Sequence, residues 1–228
     1  MKAILFDLDD TLYPEIKFIE SGFNSVATYL QSRYHLNKND IVSQMFEILK
    51  KNGRGKIFDT LLKNLGLYTE DKVQLLVYIY RSHVPSIKLY PDVLTVLKYL
   101  KNYGACLGII TDGMASVQKN KVSALNAQAL FDLILYTDEL GKEHWKPSTL
   151  PFKLALDLLQ VSPDEAVYIG DNINKDFIAP NLLGMLTIRV DREAQTSAMP
   201  KINTSNNEAK FVVKEFKEIP KILLRSEK

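Results

Sequence analysis

Cysteine is nearly absent from the 228-residue chain, which holds only Cys106. A lone cysteine closes no internal disulfide, and with histidines only at His35, His83 and His144 the chain has no Cys/His spacing for a zinc site. The expectation is a reduced, buried thiol in a cytoplasmic protein. Long hydrophobic runs are missing as well. No apolar stretch approaches the roughly 20 residues of a membrane span. The N-terminal run AILF is stopped by Asp7, too short for a secretory signal core. No excess of one charge exists: 29 basic residues face 27 acidic ones, a formal net charge of +2. Without a strong positive field, a nucleic-acid partner is not expected. What is present, 46% hydrophobic and 25% charged residues, is the composition of an ordinary globular core, not of a disordered or fibrous chain.

Short apolar runs alternate with amphipathic stretches. The runs are residues 3–6, 105–110, 131–136, 166–169, 185–190 and 211–213. Each is predominantly apolar, as for a strand buried on both faces. Helical spacing follows in Val93, Leu94, Leu97 and Leu100, and near residues 115–126, 149–159, 174–184 and 215–224. Pro180 within the 174–184 stretch would kink or end that helix. The alternation predicts an α/β fold with a doubly wound parallel sheet. Residues 15–85 break it, with four helical faces and no strand. These are Ile16/Ile19/Phe23/Val26/Ala27/Leu30, Ile41/Val42/Met45/Phe46/Leu49, Ile57/Phe58/Leu61/Leu62/Leu65 and Val73/Leu76/Val77/Tyr80. The predicted organisation is an α/β core of residues 1–14 and 86–228 with a helical insert at 15–85. Residues 194–207, rich in Ser, Thr and Asn, read as a loop.

In an open α/β sheet, ligands bind beyond the carboxyl ends of the strands. The residues found there are Asp7, Asp9, Asp10 and Thr11 after the first run, and Thr111, Asp112 and Gly113 after the second. Lys146 and Pro147 follow the third, and Gly170 and Asp171, with Asp176 five residues on, follow the fourth. Any single one of these acids fits a helix cap as well as a catalytic role, and Lys146 alone fits a solvated surface. Together, Asp7, Asp9, Asp171 and Asp176 would converge, and unpaired carboxylates in contact raise each other's pKa. A hard divalent cation, Mg²⁺ above all, answers that repulsion, since it accepts a few carboxylates, waters and a substrate phosphate.

The ordered set Asp7-x-Asp9-x-Thr11, Thr111-Asp112, Lys146-Pro147 and Gly170-Asp171-x4-Asp176 resembles the haloacid dehalogenase superfamily of phosphatases, over residues 1 to about 190. The resemblance implies a Rossmann-like core with an inserted helical cap. It implies Asp7 as the nucleophile that forms an aspartyl phosphate and Asp9 as the acid, then base. Thr11 would hold the loop, and Thr111, with backbone N–H groups near Asp112, would bind phosphoryl oxygens. Lys146 would neutralise nucleophile and phosphate. The metal would be held by Asp7, Asp171 and the carbonyl of Asp9, with Asp176 an outer acid that orients a metal water or Lys146. Dehalogenase members lack the second carboxylate, so Asp9 favours phosphoryl chemistry. The implied activity is Mg²⁺-dependent hydrolysis of a small cytoplasmic phosphomonoester, a sugar phosphate or a nucleoside monophosphate. A phosphotransferase or mutase, and a non-catalytic binding protein on the same fold, are the alternatives.

Eleven basic and seven acidic residues give the stretch between Pro14 and Tyr90 a charge of +4. A basic lid would attract anionic substrates, and such cations equally serve solubility. The segment KKNGRGK at residues 50–56 lacks the ending of a nucleotide P-loop and reads as a helix–helix connection.

Overall fold

The computed structural model describes residues 1–192 and 207–225. The loop reading of residues 194–207 lies, but for Asn207, outside the described residues. The chain forms two compact units, one of Met1–Pro14 with Lys88–Lys228 and one of Glu15–Ile87.

The order of elements follows the apolar runs. Strand β1 (Ala3–Phe6) leads into α1 (Glu15–Tyr34), α2 (Lys38–Asn52), α3 (Ile57–Asn64) and α4 (Glu70–Ser82). The chain continues through α5 (Val93–Asn102), β2 (Cys106–Thr111), α6 (Ala115–Ala124) and β3 (Leu133–Tyr136). Then come α7 (Leu150–Leu159), β4 (Ala166–Gly170), α8 (Ile178–Leu183), β5 (Leu186–Val190), β6 (Phe211–Val213) and α9 (Ile219–Arg225). The six strands pair in parallel in the order β3-β2-β1-β4-β5-β6. This doubly wound sheet reverses its winding at β1, so the crevice outside the carboxyl end of β1 is where a ligand belongs.

The period of two along β1 divides its side chains between two layers. Ala3 and Leu5 join Phe152, Ala155 and Leu156 of α7, Tyr168 of β4 and Ala179 of α8 in one cluster. Phe6 stacks on Phe216 and meets Phe131 edge-on. Burial on both faces holds for β1 and β4. It fails for β3, whose four residues are only half-buried, because β3 lies at the edge of the sheet. Cys106, expected to be buried, is half-buried at the start of β2.

Differences at the helices have local causes. The segment expected as a helix from residue 174 begins only at Ile178, which leaves Pro180 in the first turn, where its missing N–H removes no bond. In the helical unit, Phe23, Val26, Leu30, Met45, Leu61, Leu62 and Leu76 close the core, whereas Ile16 is exposed. Asn37 caps α2 by accepting from the N–H of Asn39 and Asp40, and Thr69 caps α4 by accepting from Lys72. Residues 53–56 join α2 to α3, whereas Lys50, Lys51 and Asn52 of the expected connection form the last turn of α2, and within this unit Arg54 pairs with Glu15. No helix among the described residues is long and apolar enough to cross a membrane.

Candidate active site

β1 ends at Phe6, and the N–H of Asp7 still bonds the carbonyl of Ile169 on β4 at 2.8 Å. The last ladder bond thus fixes Asp7 at the carboxyl edge of the central strand. Its side chain is buried and accepts from the Lys146 ammonium at 2.5 Å. Lys146 arrives on the loop after β3, and its side chain is wholly buried. The ammonium also donates to Asp176 at 2.7 Å and to the Tyr168 hydroxyl at 2.9 Å. Asp176 is held from its other oxygen by the N–H of Asn172 at 2.9 Å. It packs directly against Gly170, where a Cβ would lie 2.5 Å from its Oδ2. The glycine at the end of β4 is therefore required by space, not by its dihedral angles.

Among the described residues, carboxylate oxygens of Asp7, Asp171 and Asp176 lie within 4.8 Å of one another. Burial first, and then the charges of Asp7 and Asp176, push Asp171 up to about pH 7. Asp7 is also pushed up to about 7, by burial, with Lys146 as the main opposing charge. Burial works against the Lys146 ammonium, but Asp176 and Asp7 outweigh it and hold its pKa well above the usual lysine range. One lysine is too little positive charge for three clustered carboxylates. This set of hard oxygen donors fits a divalent cation of the Mg²⁺ type. Thr11, fully buried, donates to Asp171 at 3.4 Å and ties the loop after β1 to the loop after β4.

The Asp9 side chain belongs to a second, adjoining set and not to the three-carboxylate cluster, which departs from a convergence of all four acids. Asp10, at φ 55°, turns the chain between the two ends of this loop. The Asp9 carboxylate receives the Lys121 ammonium on both oxygens at 2.8 Å each. Gln118 donates to it at 3.0 Å, and the buried Tyr13 hydroxyl also donates to it. Burial would raise the pKa of Asp9, but the charge and hydrogen bond of Lys121, with Tyr13 and Gln118, pull it below the usual carboxylate value.

Gln118 and Lys121 escape a sequence reading. They lie three apart on α6, where polar residues normally mark the solvent face, yet both are buried. The available signal was the weak apolar stripe of α6: a helix with Val122 as its buried hydrophobic residue must turn something else inward. Tyr13 is fully buried and also serves the site.

Thr111 and Asp112 leave β2 beside β1. The Thr111 hydroxyl accepts from Gln118. Asp112 accepts from the Thr137 hydroxyl at 2.8 Å and from the Lys146 N–H at 3.1 Å. Its second oxygen meets Lys175 at 3.5 Å. The Asp112 carboxylate thus organises the loop that delivers Lys146. The first N–H of α6, at Ala115, is taken by Asp138 at 2.9 Å.

Residues 4–190 match the model of the haloacid dehalogenase-like hydrolase family. The chain is 34% identical over 199 residues to a glyceraldehyde 3-phosphate phosphatase of Methanopyrus kandleri, covering 84% of each chain. It is 25% identical to a ribulose-1,5-bisphosphate 5-phosphatase of Halopiger xanaduensis, covering 86% of this chain and 87% of that one. Among solved structures, a HAD phosphatase of Thermococcus onnurineus superposes with a TM-score of 0.63 at 25% identity, covering 98% of both chains.

Proposed function

The chain belongs to the haloacid dehalogenase-like hydrolase family, and on that premise we propose that it is a divalent-metal-dependent phosphomonoester hydrolase acting through Asp7 on a small sugar phosphate. The observation that carries the reading is the buried Asp7 carboxylate at the end of the central strand, paired with Lys146 at 2.5 Å and flanked by Asp171 and Asp176. A carboxylate buried beside a cation is a nucleophile kept from water and from drifting.

In the first step an Asp7 oxygen bonds phosphorus as the bond from phosphorus to the ester oxygen breaks, and Asp9, which must first take up a proton from solvent because Lys121 favours its ionised form, passes that proton to the ester oxygen. In the second, Asp9 takes a proton from water, the water oxygen bonds phosphorus, and the bond to Asp7 breaks to release inorganic phosphate. Lys146 offsets the negative charge at Asp7 and keeps the carboxylate in place. Asp7, Asp171 and the carbonyl of Asp9 would hold the cation, with Asp176, whose oxygens are taken by Lys146 and the Asn172 N–H, steadying Lys146 beside it; when bound, the cation supplies positive charge to the phosphoryl oxygens. Five relatives named glyceraldehyde 3-phosphate phosphatase, four of them 30–34% identical, make that three-carbon ester the first substrate to assay.

The test is hydrolysis of glyceraldehyde 3-phosphate and of an aryl phosphate by the wild type and by Asp7→Asn. We expect turnover that stops in Asp7→Asn and in excess chelator, and that Mg²⁺ restores in the wild type. Undiminished turnover in the variant would remove Asp7 from the chemistry, and undiminished turnover in chelator would remove the metal.

A further inference from the structure

An ammonium has three hydrogens to donate, and Lys146 places all three within the protein, on Asp7, Asp176 and Tyr168. Its side chain has no exposed surface. It balances the charge of the nucleophile, but a substrate oxygen could bond to it only by displacing one of those partners. Beside the divalent cation, a second side-chain cation would serve to receive the phosphate.

Lys175 is placed for that task. It lies on the loop after β4, one residue before Asp176, and its side chain is 32% exposed. Its protein partner is Asp112, at 3.5 Å, the outer limit of a hydrogen bond. Asp112 stands after β2. Because β2 and β4 are the two neighbours of β1, a contact between their following loops spans the end of β1, where Asp7 lies. The Lys175 charge is felt at Asp7. Asp112 does not depend on the lysine, since its other oxygen is held by Thr137 and by the Lys146 N–H. One weak contact, partial exposure and a position across the end of β1 leave the ammonium able to bond an incoming anion.

Resting on the phosphatase reading, we propose that Lys175 is a substrate-binding residue of this site, its ammonium donating to a non-bridging oxygen of the phosphoryl group that Asp7 attacks. Lys146 and Lys175 then divide the work: the first neutralises the nucleophile, the second captures the phosphate. Nothing in the reaction is added or removed by this step. It is a charge-assisted hydrogen bond that replaces the long contact to Asp112.

The probe is inorganic phosphate, measured with Mg²⁺ present both as a competitive inhibitor of aryl phosphate hydrolysis and by calorimetry. Lys175→Met should raise its Ki and Kd about tenfold, the value of one partly exposed charge-assisted bond, and should raise KM more than it lowers kcat. Lys175→Arg, which keeps a cation at similar reach, should recover most of the binding. The same comparison in an Asp112→Asn background separates binding from mere neutralisation of Asp112. The Lys175→Met effect should persist there, although the ion pair no longer exists. A Kd unchanged within roughly twofold in Lys175→Met, or an effect that vanishes beside Asp112→Asn, would overturn the proposal. Phosphate binding that depends on Lys175 in a protein that hydrolyses no ester would defeat the phosphatase reading and leave this inference standing. Hydrolysis abolished by Asp7→Asn, with phosphate binding indifferent to Lys175, would do the reverse.

Discussion

Adding one methyl group at Gly170 should disarm the site. The Cβ of an alanine there would lie 2.5 Å from Oδ2, 2.8 Å from Cγ and 3.0 Å from Cβ of Asp176. Non-bonded heavy atoms of this kind prefer about 3.5 Å or more, so the carboxylate must retreat by roughly 0.5–1 Å. It has nowhere to go without loss. One oxygen holds Lys146 at 2.7 Å and the other holds the Asn172 N–H at 2.9 Å. A retreat of that size takes at least one bond beyond hydrogen-bonding range. Losing a hydrogen bond to a charged group costs about 1.5–3 kcal/mol, and tolerating the clash instead costs about 1–3 kcal/mol. The protein takes the cheaper mixture, about 1.5–3 kcal/mol. For a chain of this size that lowers Tm by roughly 5–10 °C. Thermal unfolding followed by circular dichroism in excess chelator measures it, and aryl phosphate turnover measured alongside should fall as Lys146 loses its support. A Tm within about 2 °C of wild type would refute the steric argument. So would a Gly170→Ala loss that persists in full beside Asp176→Ala, where no carboxylate remains to be displaced.

Lys121→Met strips the cation from a pair in which the lysine side chain is 5% exposed and Asp9 20%. Gln118 and Tyr13 remain as donors, so the stability loss should be about 2–3 kcal/mol, below that of a wholly buried pair. Its catalytic signature is selectivity: with Asp9 in its proposed role at the leaving oxygen, kcat/KM should fall about tenfold more for an alkyl phosphate than for an aryl ester whose leaving group needs little protonation. Equal falls on the two esters would deny Lys121 its role in positioning Asp9. In the helical unit, burial lowers the pKa of His83 from the usual 6.5, only partly offset by its bond to the Tyr80 carbonyl. The folded unit then binds fewer protons than the unfolded chain once pH drops below about 6.5, so its stability should decline as acid is added through that range. Urea unfolding at several pH values should show a shallower decline in His83→Phe, and identical slopes in the two proteins would sink the idea.

The strand ends were readable because a parallel sheet buries its strands, and a buried strand is an apolar run whose end the first polar residue marks. Asp7, Thr111 and Asp171 stand out for that reason. The helical unit was readable from its stripes, with Met45, Leu61 and Leu76 inside as the period requires. The surroundings of Asp9 were not. Sequence period tells which face of a helix is apolar, and the inward face of α6 carries Gln118 and Lys121 to meet a charge donated by a distant strand. Pairing across more than a hundred positions leaves no local trace. The edge placement of β3 was hidden too, since LILY reads the same whether one neighbour flanks it or two.

Between Leu12 and Tyr90 the chain makes a long excursion and returns to the point it left: the Tyr90 N–H bonds the Leu12 carbonyl at 3.0 Å. A detour closed at its own doorway places no demand on the sheet for its length or content. The four helices housed there could be lengthened, replaced or exchanged over evolutionary time while the strand tips that hold Asp7 stayed where they are.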